Sequence, residues 1–215
     1  DYFVANSNNV ANRIRKHYGR EAVVIYPPVN VSYFQPQDLV GEFYLCVSRI
    51  IKHKRIDLLI DSFNSLNREL YIIGEGEEQK RLEHRAHKNI HFLGRQPDHI
   101  REYYSKCKAF IFPTEEDFGM TPVEAQACGS PVIAFSKGGA LETVIEGVTG
   151  TFFDSQTPES LIDAVYRLDN MEIQKESCRK NAELFSTETF EKKMKSFIEK
   201  KWGEFSTNNQ RNLCK

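Results

Sequence analysis

Long apolar runs are missing from this chain of 215 residues, and no stretch approaches the ~20 residues that cross a bilayer as a helix. A dominant charge is missing too. The 29 Lys and Arg balance the 30 Asp and Glu to a net charge of −1, which offers no reason to propose nucleic acid as a partner. Cysteine is scarce and odd in number: Cys46, Cys107, Cys128, Cys178 and Cys214 contain no Cys-x-x-Cys pair, and at this size and spacing no disulfide framework is expected. They read as buried free thiols of a reducing cytoplasm. His84, His87 and His91 do not share one helix face, and no Ser-His-Asp or Cys-His arrangement stands out, so no metal site is expected. A dinucleotide fingerprint is absent as well, because Gln79 stands where Gly74-Glu75-Gly76 would need a third glycine. What is present is 40% hydrophobic residues, enough for a globular core. The chain opens on Asp1 rather than Met and is read as a portion of something longer.

The apolar residues fall into short continuous runs separated by helical patterns. Strands are expected at 1–7, 23–26, 43–47, 70–73, 90–93, 109–112, 132–135 and 151–153. Helices are expected at 8–18, 55–66, 77–87, 98–107, 122–128, 140–146 and 158–168. Strands that are apolar throughout, rather than alternating, fit a sheet covered on both faces. The repeated strand–helix units predict an α/β fold with a doubly wound parallel sheet, whose ligands bind at the carboxyl ends of the strands. Pro27-Pro28 opens an irregular segment through Pro36 that reads as a linker or hinge. Two charged helices follow the sheet, at 175–184 and 187–202. The second carries Phe190, Met194, Phe197, Ile198 and Trp202 on one stripe, with lysines around it. That stripe suits packing on another domain; a basic amphipathic helix can also lie on the anionic inner face of a membrane. From Glu204 onward the chain is polar, and disorder is expected.

Chemistry concentrates in Glu115-Glu116-Asp117-Phe118-Gly119-Met120-Thr121, after the strand at 109–112. Three acids in a row repel one another unless a ligand or a cation uses them. Thr121 reads as a helix cap, Pro122 as the first helical residue and Gly129 as the stop. Glu124 then has two readings: a ligand carboxylate beside a helix amino end that holds an anion, or a capping-box residue bonded back to Thr121. After the strand at 43–47, Arg49 and Lys54 lie in a basic loop that either clamps a diphosphate or is simply solvated. Gly74 permits close approach of backbone to a ligand. Arg95 and Asp98 follow the strand at 90–93, and Asp98 reads first as a helix cap, second as a reader of a base edge.

Together these stretches resemble the carboxyl-terminal half of a family 4 retaining glycosyltransferase of the GT-B architecture. Val47-Ser48-Arg49-Ile50 with Lys54 and Asp57-Leu58-Leu59-Ile60 is similar to that family's donor-phosphate loop. Gly74-Glu75-Gly76 resembles its next glycine turn, and Glu116 to Glu124 its E-x7-E motif. Gly138-Gly139 with Glu142, Gly147 and Gly150 resembles its tail pattern. Asp117 departs from the usual Gly, and Ser48 from a common Gly. The resemblance implies a Rossmann-like donor domain at 29–174, a remnant of the acceptor domain and crossover at 1–28, C-terminal helices at 175–203 packing toward the rest of that amino-terminal domain, and a tail at 204–215. It gives Arg49 and Lys54 the diphosphate, Glu116 the sugar hydroxyls and Glu124 the ribose. Backbone N–H groups at Phe118, Gly119, Met120 and Thr121 would take the distal phosphate or sugar, and Arg95 to Asp98 would border the base. It implies a metal-independent hexosyltransferase acting in the cytoplasm or at the inner membrane face, with no cofactor beyond a nucleotide-sugar donor (GDP-mannose first) and a glycan or lipid-linked saccharide as acceptor. The alternatives are a UDP-sugar transferase of the same fold and a nucleotide-sugar-binding module without catalysis.

Overall fold

The computed structural model describes residues 2–37 and 41–213, those after Thr207 by backbone alone. The first unit is β1 (Phe3–Ala5), α1 (Asn8–Tyr18) and β2 (Ala22–Val24), with β1 and β2 paired in parallel and separate from the main sheet. Helix α1 begins where the Ser7 side chain accepts the Val10 N–H and ends at Gly19 in the left-handed region, as its sequence predicts.

The main sheet holds β3 (Tyr44–Val47), β4 (Leu70–Ile73), β5 (Ile90–Phe92), β6 (Ala109–Phe112), β7 (Val132–Phe135) and β8 (Gly150–Phe153). All neighbours run parallel in the order β5-β4-β3-β6-β7-β8. Between the strands lie a 3₁₀ turn (Lys52–Lys54), α2 (Ile56–Leu66), α3 (Gln79–Glu83), α4 (Ile100–Lys106), α5 (Met120–Ala127), α6 (Ala140–Thr143) and α7 (Pro158–Asp169). Two helices, α8 (Lys175–Glu183) and α9 (Thr187–Leu213), close the chain. Successive strand residues point to opposite faces. Tyr44, Cys46, Ile72, Ile111 and Ile133 therefore enter one core with the Leu and Ile of α2 and α7, while Leu45, Ile73, Phe110, Val132 and Ala134 enter another under α5. Both faces are buried, which is why the strands read as unbroken apolar runs. This is the expected α/β, Rossmann-like architecture.

The structure departs from the sequence reading at several ends. Helix α3 stops at Glu83, short of residue 87. The Asn64 side chain accepts the His87 N–H at 2.9 Å and donates to the Arg85 carbonyl at 2.8 Å, so these groups leave the helical ladder. Helix α6 stops at Thr143 rather than 146, because the amides of Gln126 and Asn181 each donate to the Thr143 carbonyl at 2.8 Å. Helix α9 runs on through Gly203 to Leu213, although the polar stretch from Glu204 suggests disorder. A Lys201–Glu204 ion pair at 2.7 Å and a bond from the Thr207 hydroxyl to the Gly203 carbonyl at 2.9 Å support that extension. Residues 214 and 215 of the tail lie outside the described residues. On α9, Phe197 meets Tyr2 edge-on, while Trp202 is 68% exposed.

The segment after Pro28 is fastened rather than free. Val29, Val31 and Phe34 are buried, and Arg179 Nη1 donates to the carbonyls of Val31 (2.7 Å), Ala127 (2.9 Å) and Phe34. The segment is a strap across the core rather than a loose linker, and its turn at 31–34 is held by Asn30, whose carbonyl accepts the Tyr33 and Phe34 N–H groups. Cys46, Cys107, Cys128 and Cys178 are buried free thiols, the first pushed up to about 12 by burial; Cys214 lies outside the described residues. Among the described residues no helix is long and apolar enough to cross a membrane.

Candidate functional site

The strand order reverses direction between β3 and β6. From β3 the chain goes to β4 and β5 on one side; from β6 it goes to β7 and β8 on the other. The loops leaving the carboxyl ends of these two neighbours diverge, and a crevice opens between them. One loop carries Arg49 and Lys54. The other carries Glu116 to Met120. A cavity of roughly 420 Å³ lies between, lined among others by Ser48, Arg49, Lys54, Glu116, Phe118, Gly119, Met120 and Thr121. A neighbouring cavity of roughly 490 Å³ is lined by Arg49, Gly74, Arg95, Gln96, Pro97, Ile100 and Thr121, among others. Arg49 and Thr121 stand on the wall common to both.

The two loops are tied to each other. The 3₁₀ turn delivers Lys54 to the Glu116 carboxylate, with which it makes an ion pair. Thr114 Oγ1 donates to the His53 carbonyl at 3.0 Å. Arg55 donates to Gln156 Oε1 at 2.8 Å, and the Gln156 amide donates to the Pro113 carbonyl at 2.8 Å. Gly74, at φ 140°, closes a third loop on the first: an added Cβ there would overlap the Ser48 carbonyl oxygen. The acids of the β6 loop are relieved by the protein's own cations, Glu116 by Lys54 and Asp117 by Arg13 at 2.9 Å. Arg49 is exposed and has no ion-pair partner among the described residues, leaving its planar guanidinium available to an anion.

The helix that begins in this loop is not capped as its sequence suggests. Its N-cap is Gly119 at φ 86°, without a side-chain cap bond, and Thr121 is the second helical residue. Only glycine takes that backbone shape readily, and it moves the cap two residues upstream of Thr121. The amino end of α5 therefore faces the cavity with its N–H groups uncapped by any side chain, and Pro122 contributes none. At the other end the predicted stop holds. Gly129 N–H donates to the Gln126 carbonyl at 2.9 Å and Ser130 N–H to the Ala125 carbonyl at 3.0 Å.

With the cap displaced, the capping box falls away. Glu124 Oε2 accepts instead from the buried Tyr104 hydroxyl at 2.8 Å. Burial pushes the Glu124 carboxyl above its ordinary range, against the pull of the Tyr104 hydrogen bond. Glu124 lines neither cavity; it sits one helical turn behind Thr121, on the same side of α5. Asp98 is neither cap nor wall. The N-cap of α4 is His99, and the turn at 97–99 leaves Asp98 exposed while Gln96, Pro97 and Ile100 take the wall. Arg95 reaches Glu75 at 3.5 Å across the mouth of the second cavity. Sequence reasoning missed Asn6 and Pro27, which complete the first cavity from the far end of the chain, and Tyr104 behind Glu124. No local pattern could have found them, since each is placed by tertiary packing. Among the described residues no three His, Cys, Asp or Glu side chains converge as a metal site would require.

The architecture and the family bear on one another. The family model of the Glycosyl transferases group 1 matches residues 35–185. An uncharacterised glycosyltransferase of Methanocaldococcus jannaschii is 31% identical over 192 residues, 86% of this chain and 54% of that protein. The GDP-mannose-dependent alpha-(1-6)-phosphatidylinositol monomannoside mannosyltransferase of Mycolicibacterium smegmatis is 30% identical over 140 residues, 56% of this chain and 37% of that protein. Among solved structures, Anabaena HepE in complex with UDP and glucose superposes with a TM-score of 0.82 at 21% identity, over 92% of this chain and 62% of that one. The chain thus spans about half the length of the first of these relatives. A parallel sheet whose strand order reverses between the two site-bearing loops, matched to one family over most of its length, leaves a single assignment: the chain belongs to the group 1 glycosyl transferases, as a carboxyl-terminal domain of the GT-B architecture.

Proposed function

We propose that this domain binds the nucleotide-sugar donor of a metal-independent hexosyltransferase, and that the full-length protein transfers the sugar with retention at the anomeric carbon. The observation that carries this reading is the crevice between the β3 and β6 loops. There Arg49, Lys54 and the uncapped amino end of α5 converge on one cavity with Glu116 on its wall. Two cations and a helix amino end suit a diphosphate and the negative charge that grows on it as the glycosidic bond breaks. Glu116 accepts hydroxyls of the sugar, and Lys54 is shared between that carboxylate and the phosphate. The nucleoside lies in the second cavity, between Gly74 and Pro97; Glu124, which stands outside that wall, reaches the ribose hydroxyls past Thr121. The acceptor is a glycan or a lipid-linked saccharide.

The donor we favour is GDP-mannose, supported by the name of the mycobacterial relative. The complex of HepE with UDP and glucose supports a second reading, a UDP-sugar. Calorimetric titration with GDP, UDP and ADP and with their sugars tests both readings at once. Binding of one nucleotide series at micromolar concentration is expected, and no binding of any sinks the proposal.

A further inference from the structure

Helix α1 begins against a carboxylate from the other end of the fold. Glu142, on α6, accepts four hydrogen bonds there. Its Oε2 takes the Asn8 N–H at 2.8 Å, the Asn8 side-chain amide at 2.6 Å and the Tyr26 hydroxyl at 3.0 Å; its Oε1 takes the Asn9 N–H at 3.0 Å. All four partners donate, so a group that only accepts is matched to them, and its negative charge sits at the positive end of the helix. The same segment is joined to the donor loop at two more places. Tyr26 stacks on Phe118 with ring centroids 5.6 Å apart, and Arg13 pairs with Asp117. Asn6 and Pro27, on either flank of these contacts, form part of the wall of the cavity that holds Lys54 and Glu116.

We propose that Glu142 is a positioning residue for sugar transfer: by gripping the first turn of α1 and the Tyr26 hydroxyl, it fixes Asn6 and Pro27 against the donor cavity. The proposal rests on the reading of that cavity as the donor site. Glu142 touches no reacting atom. Its effect falls on the alignment of the segment that faces the sugar, not on the diphosphate clamp of Arg49 and Lys54. Glutamine at this position keeps an oxygen for Asn8 and Tyr26 but turns an N–H₂ group toward the Asn9 N–H, two donors in opposition.

The test uses Glu142→Gln and the milder Tyr26→Phe, which removes one donor and keeps the stack on Phe118. Amide hydrogen exchange is followed across the chain, and steady-state turnover of the sugar nucleotide is measured on the full-length protein. In Glu142→Gln, exchange in residues 8–18 is expected to rise about tenfold while residues 44–47 and 109–112 are unchanged. The kcat falls about tenfold with donor KM within about twofold, and Tyr26→Phe gives a smaller change of the same kind. Unchanged exchange in residues 8–18, or unaltered kcat in Glu142→Gln, overturns the proposal. A wild-type protein that binds and turns over no sugar nucleotide overturns the donor-site reading instead, and the exchange experiment still reports whether Glu142 holds α1.

Discussion

Replacing Glu124 with glutamine separates two accounts of this residue by ligand affinity and by the pH dependence of stability. If Glu124 closed a capping box, glutamine would close it as well, and the variant would keep both its stability, to within about 0.5 kcal/mol, and its ligand binding. The structure places it instead behind Thr121, bonded to Tyr104 at 2.8 Å, with burial raising its pKa above the ordinary 4.5. A raised folded-state pKa means that the folded chain holds the proton more tightly than the unfolded one. The associated stability is complete below pH 4.5 and is lost as pH rises through the folded value. Above the folded value the wild type carries a buried charge that Glu124→Gln does not, while the Tyr104 bond survives on the amide oxygen. The variant should be equal or more stable at pH 7, by on the order of 1 kcal/mol, with the advantage vanishing at about pH 4. Nucleoside diphosphate affinity should fall roughly 10- to 100-fold, the loss of a charge-assisted bond of about 1.5–3 kcal/mol to a ribose hydroxyl. Urea unfolding between pH 4 and 8, paired with calorimetry, reads both quantities. A variant with unaltered affinity and the same stability as wild type at every pH would refute this reasoning.

Four further substitutions address the site and its supports. Arg49→Ala and Lys54→Ala should each weaken nucleoside diphosphate binding about tenfold or more in calorimetric titration, and raised salt should shrink the difference from wild type. Gly74→Ala puts a Cβ into the Ser48 carbonyl oxygen at a backbone shape that L residues rarely adopt; a loss of about 2–4 kcal/mol should appear in urea unfolding. Arg179→Ala strands the carbonyls of Val31, Phe34 and Ala127, and a loss of about 2–3 kcal/mol should lower the thermal midpoint by roughly 5–10 °C.

The strands were legible in the sequence because a sheet covered on both faces leaves an unbroken apolar signature, and each predicted run from 70–73 onward lies within a residue of its place. The site loops were legible for a related reason: ligands of parallel sheets sit where strands end, and Arg49, Lys54 and Glu116 follow β3 and β6 directly. What no local pattern holds is adjacency. That β3 lies beside β6, and so brings Lys54 to Glu116, is a property of strand order. Helix ends failed where distant side chains took backbone groups from the ladder, Asn64 at α3 and Gln126 with Asn181 at α6. Thr121 failed as a cap because Gly119 accepts a backbone shape that starts the helix earlier. Glu142 stands 134 positions from Asn8, and its spacing carries no trace of that contact.

Arg179 also imposes an order of events on the newborn chain. It lies 148 positions after Val31, one of the carbonyls it holds. At ~5–20 residues per second, the ribosome adds it roughly 7–30 s after Val31. Every strand of the main sheet is synthesised before that moment, so the sheet has time to assemble while the strap is still unclasped. The last helices then act as a lock turned after the door is hung, and a chain halted before residue 179 would carry its strands without the arginine that seals them to the segment before them.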